Sequence, residues 1–115
     1  MHVFFRVDLS NKIGLGHLKR CLRIAKLFKK SKVIFILSKK NKNYDFFKNY
    51  KFKIFEINNP NLNVRKDIKS TIKIIRKIKS NTKKILFIDS YKLGETWESE
   101  IKKKVDKLIA IDDLK

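Results

Sequence analysis

Cysteine occurs once in these 115 residues, at Cys21, which excludes a disulfide framework or a cysteine-based zinc site within one chain. Proline also occurs once, at Pro60, and glycine three times, at Gly14, Gly16 and Gly94. No apolar run approaches the length of a bilayer-spanning helix. The first residues lead straight into a short apolar run, without the longer one of a signal peptide, so a soluble, cytoplasmic protein is expected. Acidic residues are scarce, 11 against 30 lysines and arginines, for a formal net charge of +19. That excess points to polyanions such as RNA or DNA. It has a blander source as well. Lysine far outnumbers arginine, and lysine, isoleucine, asparagine and phenylalanine are abundant together, the imprint of AT-rich codons. Nucleic-acid sites use arginine forks and clustered aromatics. A basic nucleic-acid-binding module is therefore the weaker reading, marked by steep salt dependence of RNA binding that His17→Ala leaves unchanged.

The hydrophobic fraction, 43%, is ordinary for a globular protein, and the length fits one domain over residues 1–115. His2 to Val7 reads as a buried strand. Leu18, Cys21, Leu22, Ala25 and Phe28 follow at helical spacing, and that helix should stop near Lys30–Ser31. This periodicity puts Cys21 on the buried side as a small core residue. Lys32 to Leu37 is a continuous apolar run, as in a strand covered on both faces. Lys39 to Lys42 is a basic loop, and Asn43 to Tyr50 fits a short helix. Phe52 to Ile57 alternates as a third strand. The asparagines around Pro60 form the clearest loop, with Asn63 or a neighbour capping a helix that runs to about Ile78. Its apolar stripe is Val64, Ile68, Ile72, Ile75 and Ile78. Lys84 to Asp89 is a fourth strand; Gly94 precedes a helix carrying Trp97, Ile101 and Val105; Leu108 to Ile111 is a fifth strand.

Strands alternating with helices imply an α/β, Rossmann-like three-layer domain with a parallel sheet of about five strands. Functional groups in such sheets lie outside the carboxyl ends of the strands. Asp8, His17, Asp89, Tyr91, Asp112 and Asp113 all follow strand ends, so all are expected on one rim.

The stretch Phe4 to Lys19, FFRVDLSNKIGLGHLK, carries the densest chemistry. A strand, a glycine turn and a helix in that order make a natural anion site, because the first N–H groups of the helix lack partners within it. It is not the dinucleotide fingerprint, which wants a small residue where Lys19 stands and an acidic residue ending the second strand, where Ser38 and Lys39 stand. His17 sits at the mouth of the turn. The helix dipole there favours a neutral imidazole able to accept a proton, as a general base must. Asp8 is a candidate to orient His17 or to bind a ligand, and otherwise a helix or turn cap. Arg6, in or just past the strand, needs a partner: Asp8, Asp89 or a bound phosphate. Of Lys19 and Arg20, one should face the cleft and the other be solvated. Asp89 and Tyr91, two apart, point the same way if the chain stays extended. Trp97 reads as core and His2 as structural.

Arg6, Asp8, Gly14, Gly16, His17 and Arg20, followed by Ile88-Asp89-Ser90-Tyr91, Trp97-Glu98 and Ile111-Asp112-Asp113, resemble the UDP-sugar hydrolases of pseudaminic acid biosynthesis. The matching residues run in order along the whole chain, which spans less than half of that family's usual length. Family members often carry histidine where Ser90 stands. The resemblance implies the N-terminal half of a glycosyltransferase-B fold. The C-terminal domain, which in the family holds most of the UDP, is expected to be lacking, or separately encoded as a partner. It further implies a UDP-linked diacetamido-trideoxy sugar as substrate, His17 as catalytic base, and Arg6, Asp8, Gly14, Gly16, Arg20, Asp89, Tyr91 and Asp113 as substrate-binding residues. No cofactor, metal or membrane partner is expected. A glycosyltransferase of the same fold is the alternative within the resemblance.

Overall fold

The computed structural model of the protein describes residues 1–8, 14–38, 52–59, 61–78, 81–90 and 92–111. The expected loop at Lys39–Lys42 and helix at Asn43–Tyr50 lie outside them, as do Tyr91, Asp112 and Asp113. Five strands form the sheet: β1 His2–Asp8, β2 Lys32–Ser38, β3 Lys53–Ile57, β4 Lys84–Asp89 and β5 Lys107–Ala110. All pairings are parallel, in the order β3-β2-β1-β4-β5. Three helices connect them: α1 Gly14–Ala25, α2 Val64–Arg76 and α3 Gly94–Lys102. The domain is α/β and Rossmann-like, with helices on both faces of the sheet.

Central position explains the composition of β1. With β2 and β4 on its two sides it is covered above and below, so successive residues must all be buried. Val3, Phe5 and Val7 join the core on the α1 side, with Leu18, Cys21, Leu22 and Ala25. Phe4 joins the opposite core, beneath α2 and α3, with Ile75, Trp97 and Ile101. Phe5 lies between Phe35 and Phe87, stacked on each with ring centroids 4.9 Å apart. Truncating such a ring to alanine costs about 3–5 kcal/mol.

Local chemistry sets the helix ends. The Asn63 side chain accepts from the backbone N–H of Lys66 at 3.0 Å, capping α2. Gly94 enters α3 at φ +73, a left-handed conformation that a side chain would strain. The first helix ends sooner than its apolar period implies: α1 stops at Ala25, and a 3₁₀ turn, Lys26–Phe28, completes the run. Val105 lies beyond the end of α3 yet still packs on the same core.

The buried face of α2 departs from the expected stripe. Ile75 is buried as anticipated, but Asp67, Thr71 and Ile74 are buried with it, while Val64, Ile68, Ile72 and Ile78 are only partly covered. The cause lies on the sheet. Arg6 alternates with Phe4 toward the α2 side and is wholly buried, so the helix is rolled to bring a carboxylate over it.

Candidate functional site

From β1 the chain builds outward through β2 and β3, then returns across the sheet to place β4 on the other flank of β1. The order reverses between β1 and β4, and the crevice outside the carboxyl ends at such a reversal is where open α/β sheets bind ligands. In register, Val7 of β1 faces Asp89 of β4, and Asp8 faces Ser38 of β2. The last residues of three strands thus meet at one place on the rim.

Asp89 ends β4 and shares the parity of Phe87, so its side chain turns to the α1 side. Its carboxylate is fully buried. On α1, His17, Arg20 and Cys21 stand at i, i+3 and i+4 and therefore share a face. That face meets Asp89. Arg20 Nη2 donates to both carboxylate oxygens at 2.8 and 2.9 Å, and Nε reaches Oδ2 at 3.3 Å. His17 Nδ1 lies 2.9 Å from Asp89 Oδ1, at ion-pair distance but without hydrogen-bond alignment. The Cys21 thiol points at Oδ2 from 3.7 Å. Burial, and then the charge of Asp89 and its hydrogen bond, push that thiol far above its ordinary value, so Cys21 is no nucleophile. The side chains of both His17 and Arg20 reach the surface, 12% exposed for His17 and 31% for Arg20. Asp89 thus buries a negative charge beneath groups that a ligand can touch.

Gly16 is exposed, one residue before His17. Its φ is not left-handed, and an added Cβ would meet nothing within 4 Å. Neither strain nor crowding among the described residues calls for glycine there. The open space above it suits the close approach of a ligand to the backbone at the first turn of α1. Gly14 is the first residue of that helix.

The other side of the sheet carries a second polar cluster, fully buried. Arg6 grips Asp67 with two parallel bonds, Nε to Oδ1 at 3.0 Å and Nη2 to Oδ2 at 2.5 Å. Asp67 also accepts from Asn59 at 3.1 Å, Trp97 Nε1 at 3.0 Å and Thr71 at 3.3 Å. Burial alone would raise the Asp67 carboxyl. The hydrogen bonds and charge of Arg6, joined by Asn59 and Trp97, outweigh it and hold the group below the usual carboxylate range. Arg6 Nη1 bonds the Val7 carbonyl at 2.9 Å and lies 3.0 Å from Asp8 Oδ1, which also accepts from Ser38 at 3.1 Å. Through this chain of contacts α2 and α3 are tied to the rim.

The expected site residues therefore divide. His17, Arg20 and Asp89 come together, with Gly16 on the same helical turn. Arg20 turns in and Lys19 out, as one of the pair was expected to do. The carboxylate against His17 is that of Asp89; Asp8 is engaged by Arg6 and Ser38. Of the partners weighed for Arg6, Asp8 is one and Asp89 belongs to the opposite side. Its principal partner, Asp67, is a residue the sequence reading passed over. Two signals mark it: it is the sole acidic residue in the segment VRKDIKSTIKIIR, and it follows Asn59 and Asn63 at four-residue steps. Trp97 is core, fully buried, with its indole N–H given to Asp67. His2 is structural, its Nδ1 2.9 Å from the Thr82 hydroxyl. Among the described residues no group of three or more His, Cys, Asp or Glu can hold a metal ion, and no helix is long and apolar enough to cross a membrane.

A cavity of about 690 Å³ opens elsewhere, at the amino ends of β1, β2 and β3. It has no part in the rim chemistry, and size alone does not make it the reactive site. Comparison of the chain with protein-family models, with curated proteins and with solved structures gives no match.

Proposed function

We propose that this chain is the sugar-side, base-bearing part of a UDP-sugar hydrolase, releasing UDP from a UDP-linked diacetamido-trideoxyhexose. The observation that carries the reading is the His17–Asp89–Arg20 cluster at the sheet's reversal point, beside an unobstructed glycine on the first turn of α1. The order of residues resembling the family's motifs supports the same assignment.

In this reading water attacks the anomeric carbon, the C–O bond to the diphosphate breaks with inversion, and UDP departs as a stabilised anion. His17 takes the proton of the attacking water. With Nδ1 against Asp89, the proton passes to Nε2, and the buried carboxylate stabilises the imidazolium that forms. Arg20 balances the same carboxylate and holds it in place. The N–H groups at Gly14–Gly16 face the developing negative charge or position the sugar. Asp8, kept at the rim by Arg6 and Ser38, is available to sugar hydroxyls. Tyr91 and Asp113 keep the sugar-binding roles that the resemblance implies. So does the second domain, which would clamp the nucleotide. One half of a cleft positions its substrate poorly, so the chain alone should turn over slowly.

The test is UDP release from the nucleotide sugar, by the chain alone and with any protein supplying the nucleotide-binding half. His17→Ala should lower kcat by about 10²–10⁴-fold with the fold intact. Equal rates for wild type and His17→Ala overturn the assignment of the base. Release that requires a sugar acceptor identifies the glycosyltransferase alternative instead.

A further inference from the structure

We propose that the edge of the sheet opposite the rim holds a binding site for an amphiphilic anion, a small molecule with one anionic head and an apolar body. The cavity there lies at the first residues of β1, β2 and β3, His2, Lys32 and Lys53. Along the seven residues of β1 it is roughly 20 Å from the His17–Asp89 cluster. Its volume, about 690 Å³, falls in the range of small-molecule sites.

The lining has two chemistries. Phe28, Val33 and Phe52 provide an apolar floor. Lys26, Lys29, Lys32 and Lys53 stand around it, and no carboxylate is among the described lining residues. His2 reports the local field. Its pKa is lowered, first by burial and then by the chain's amino terminus, Lys32 and Lys84. An independent feature marks the same edge. Among the described residues the exposed large hydrophobics are Met1, beside His2, and Leu27, between Lys26 and Phe28. Leu27 is 81% exposed in a run otherwise dense in lysine. An apolar floor with lysines around it matches a ligand whose body enters and whose charge stays at the rim.

The test uses the full chain and two fluorescent probes of like shape: 8-anilinonaphthalene-1-sulfonate, which is anionic, and neutral N-phenyl-1-naphthylamine. The anionic probe should bind saturably, one per chain, about tenfold more tightly than the neutral one. Lys29→Glu/Lys53→Glu should weaken the anionic probe about tenfold and leave the neutral one within about twofold. Ser31→Trp, at a lining position, should exclude both. Decanoate should displace the anionic probe, and inorganic phosphate or a short RNA at equal charge concentration should not. The proposal is overturned by equal binding of the two probes, by unsaturable binding, by unchanged binding in the charge-reversed variant, or by displacement with phosphate or RNA as effective as with decanoate. Far-ultraviolet circular dichroism shows whether Ser31→Trp has folded; if it has not, the charge-reversed variant and the displacement arm decide.

Discussion

Two carboxylates, Asp67 and Asp89, are both wholly buried and both paired with arginine, on opposite sides of one sheet. Their surroundings differ. Asp67 is met by Arg6, itself fully buried, and three further donors complete its shell. Everything in that cluster is satisfied inward, and no member is available to a ligand without unmaking the fold. Asp89 is met by Arg20 and His17, whose side chains reach the surface. The same pairing of residue types thus serves as a rivet on one side and as a mount for surface-reaching groups on the other. Exposure of the cation, rather than burial of the carboxylate, separates the two roles.

Removing one member of either pair breaks the comparison open. Asp67→Ala takes from the buried Arg6 its principal partner, leaving Asp8 at the rim beside it, and should cost about 3–5 kcal/mol, read by urea denaturation. The double variant Arg6→Met/Asp67→Leu should recover most of that loss, because no buried charge remains. Arg20→Ala, at a half-exposed position, should cost only about 1–2 kcal/mol and fall on UDP release instead. If Arg20→Ala destabilises as much as Asp67→Ala, the distinction between rivet and mount fails.

Acid titration sharpens the contrast. The Asp67 pKa is depressed in the folded protein, so its contribution is complete above the unfolded carboxyl value, about 3.9, and is lost as pH falls through the folded value. Stability of the wild type should therefore drop more steeply below about pH 4 than that of Arg6→Met/Asp67→Leu, measured as urea midpoints across the range.

The smallest expected effects come from glycines. Gly94→Ala should destabilise by about 1 kcal/mol, because φ +73 strains a side chain even though a Cβ there meets open space. Gly16→Ala should do the opposite, adding about 0.5 kcal/mol, because alanine has less conformational freedom than glycine to lose on folding. The same change should raise KM for the nucleotide sugar if a ligand approaches the backbone there. A stabilised Gly16→Ala with unaltered KM would remove the glycine from the site.

Much of this architecture was legible beforehand for one physical reason. Parallel strands buried on both faces need unbroken apolar runs, and VIFIL and ILFI are short runs rich in β-branched and aromatic residues, as such strands require. The period of α1, set by Leu18, Cys21, Leu22 and Ala25, was legible for the same cause, since one face must be dry. The stripe of α2 packs on the core as read but leaves out Asp67, Thr71 and Ile74, because apolar counting ignores a carboxylate drawn inward by an arginine 61 residues away. Likewise, the pairing of His17 with Asp89 joins positions 72 apart on different elements.

The alternation of apolar runs and amphipathic periods thus determined the elements and the layered parallel class, since burial on one or two faces writes itself into local composition. Only the tertiary structure decided which acid neutralises which base. A chain with 30 cationic side chains and 11 acidic ones offers many pairings of equal local plausibility, and sheet order and helix roll select among them through space.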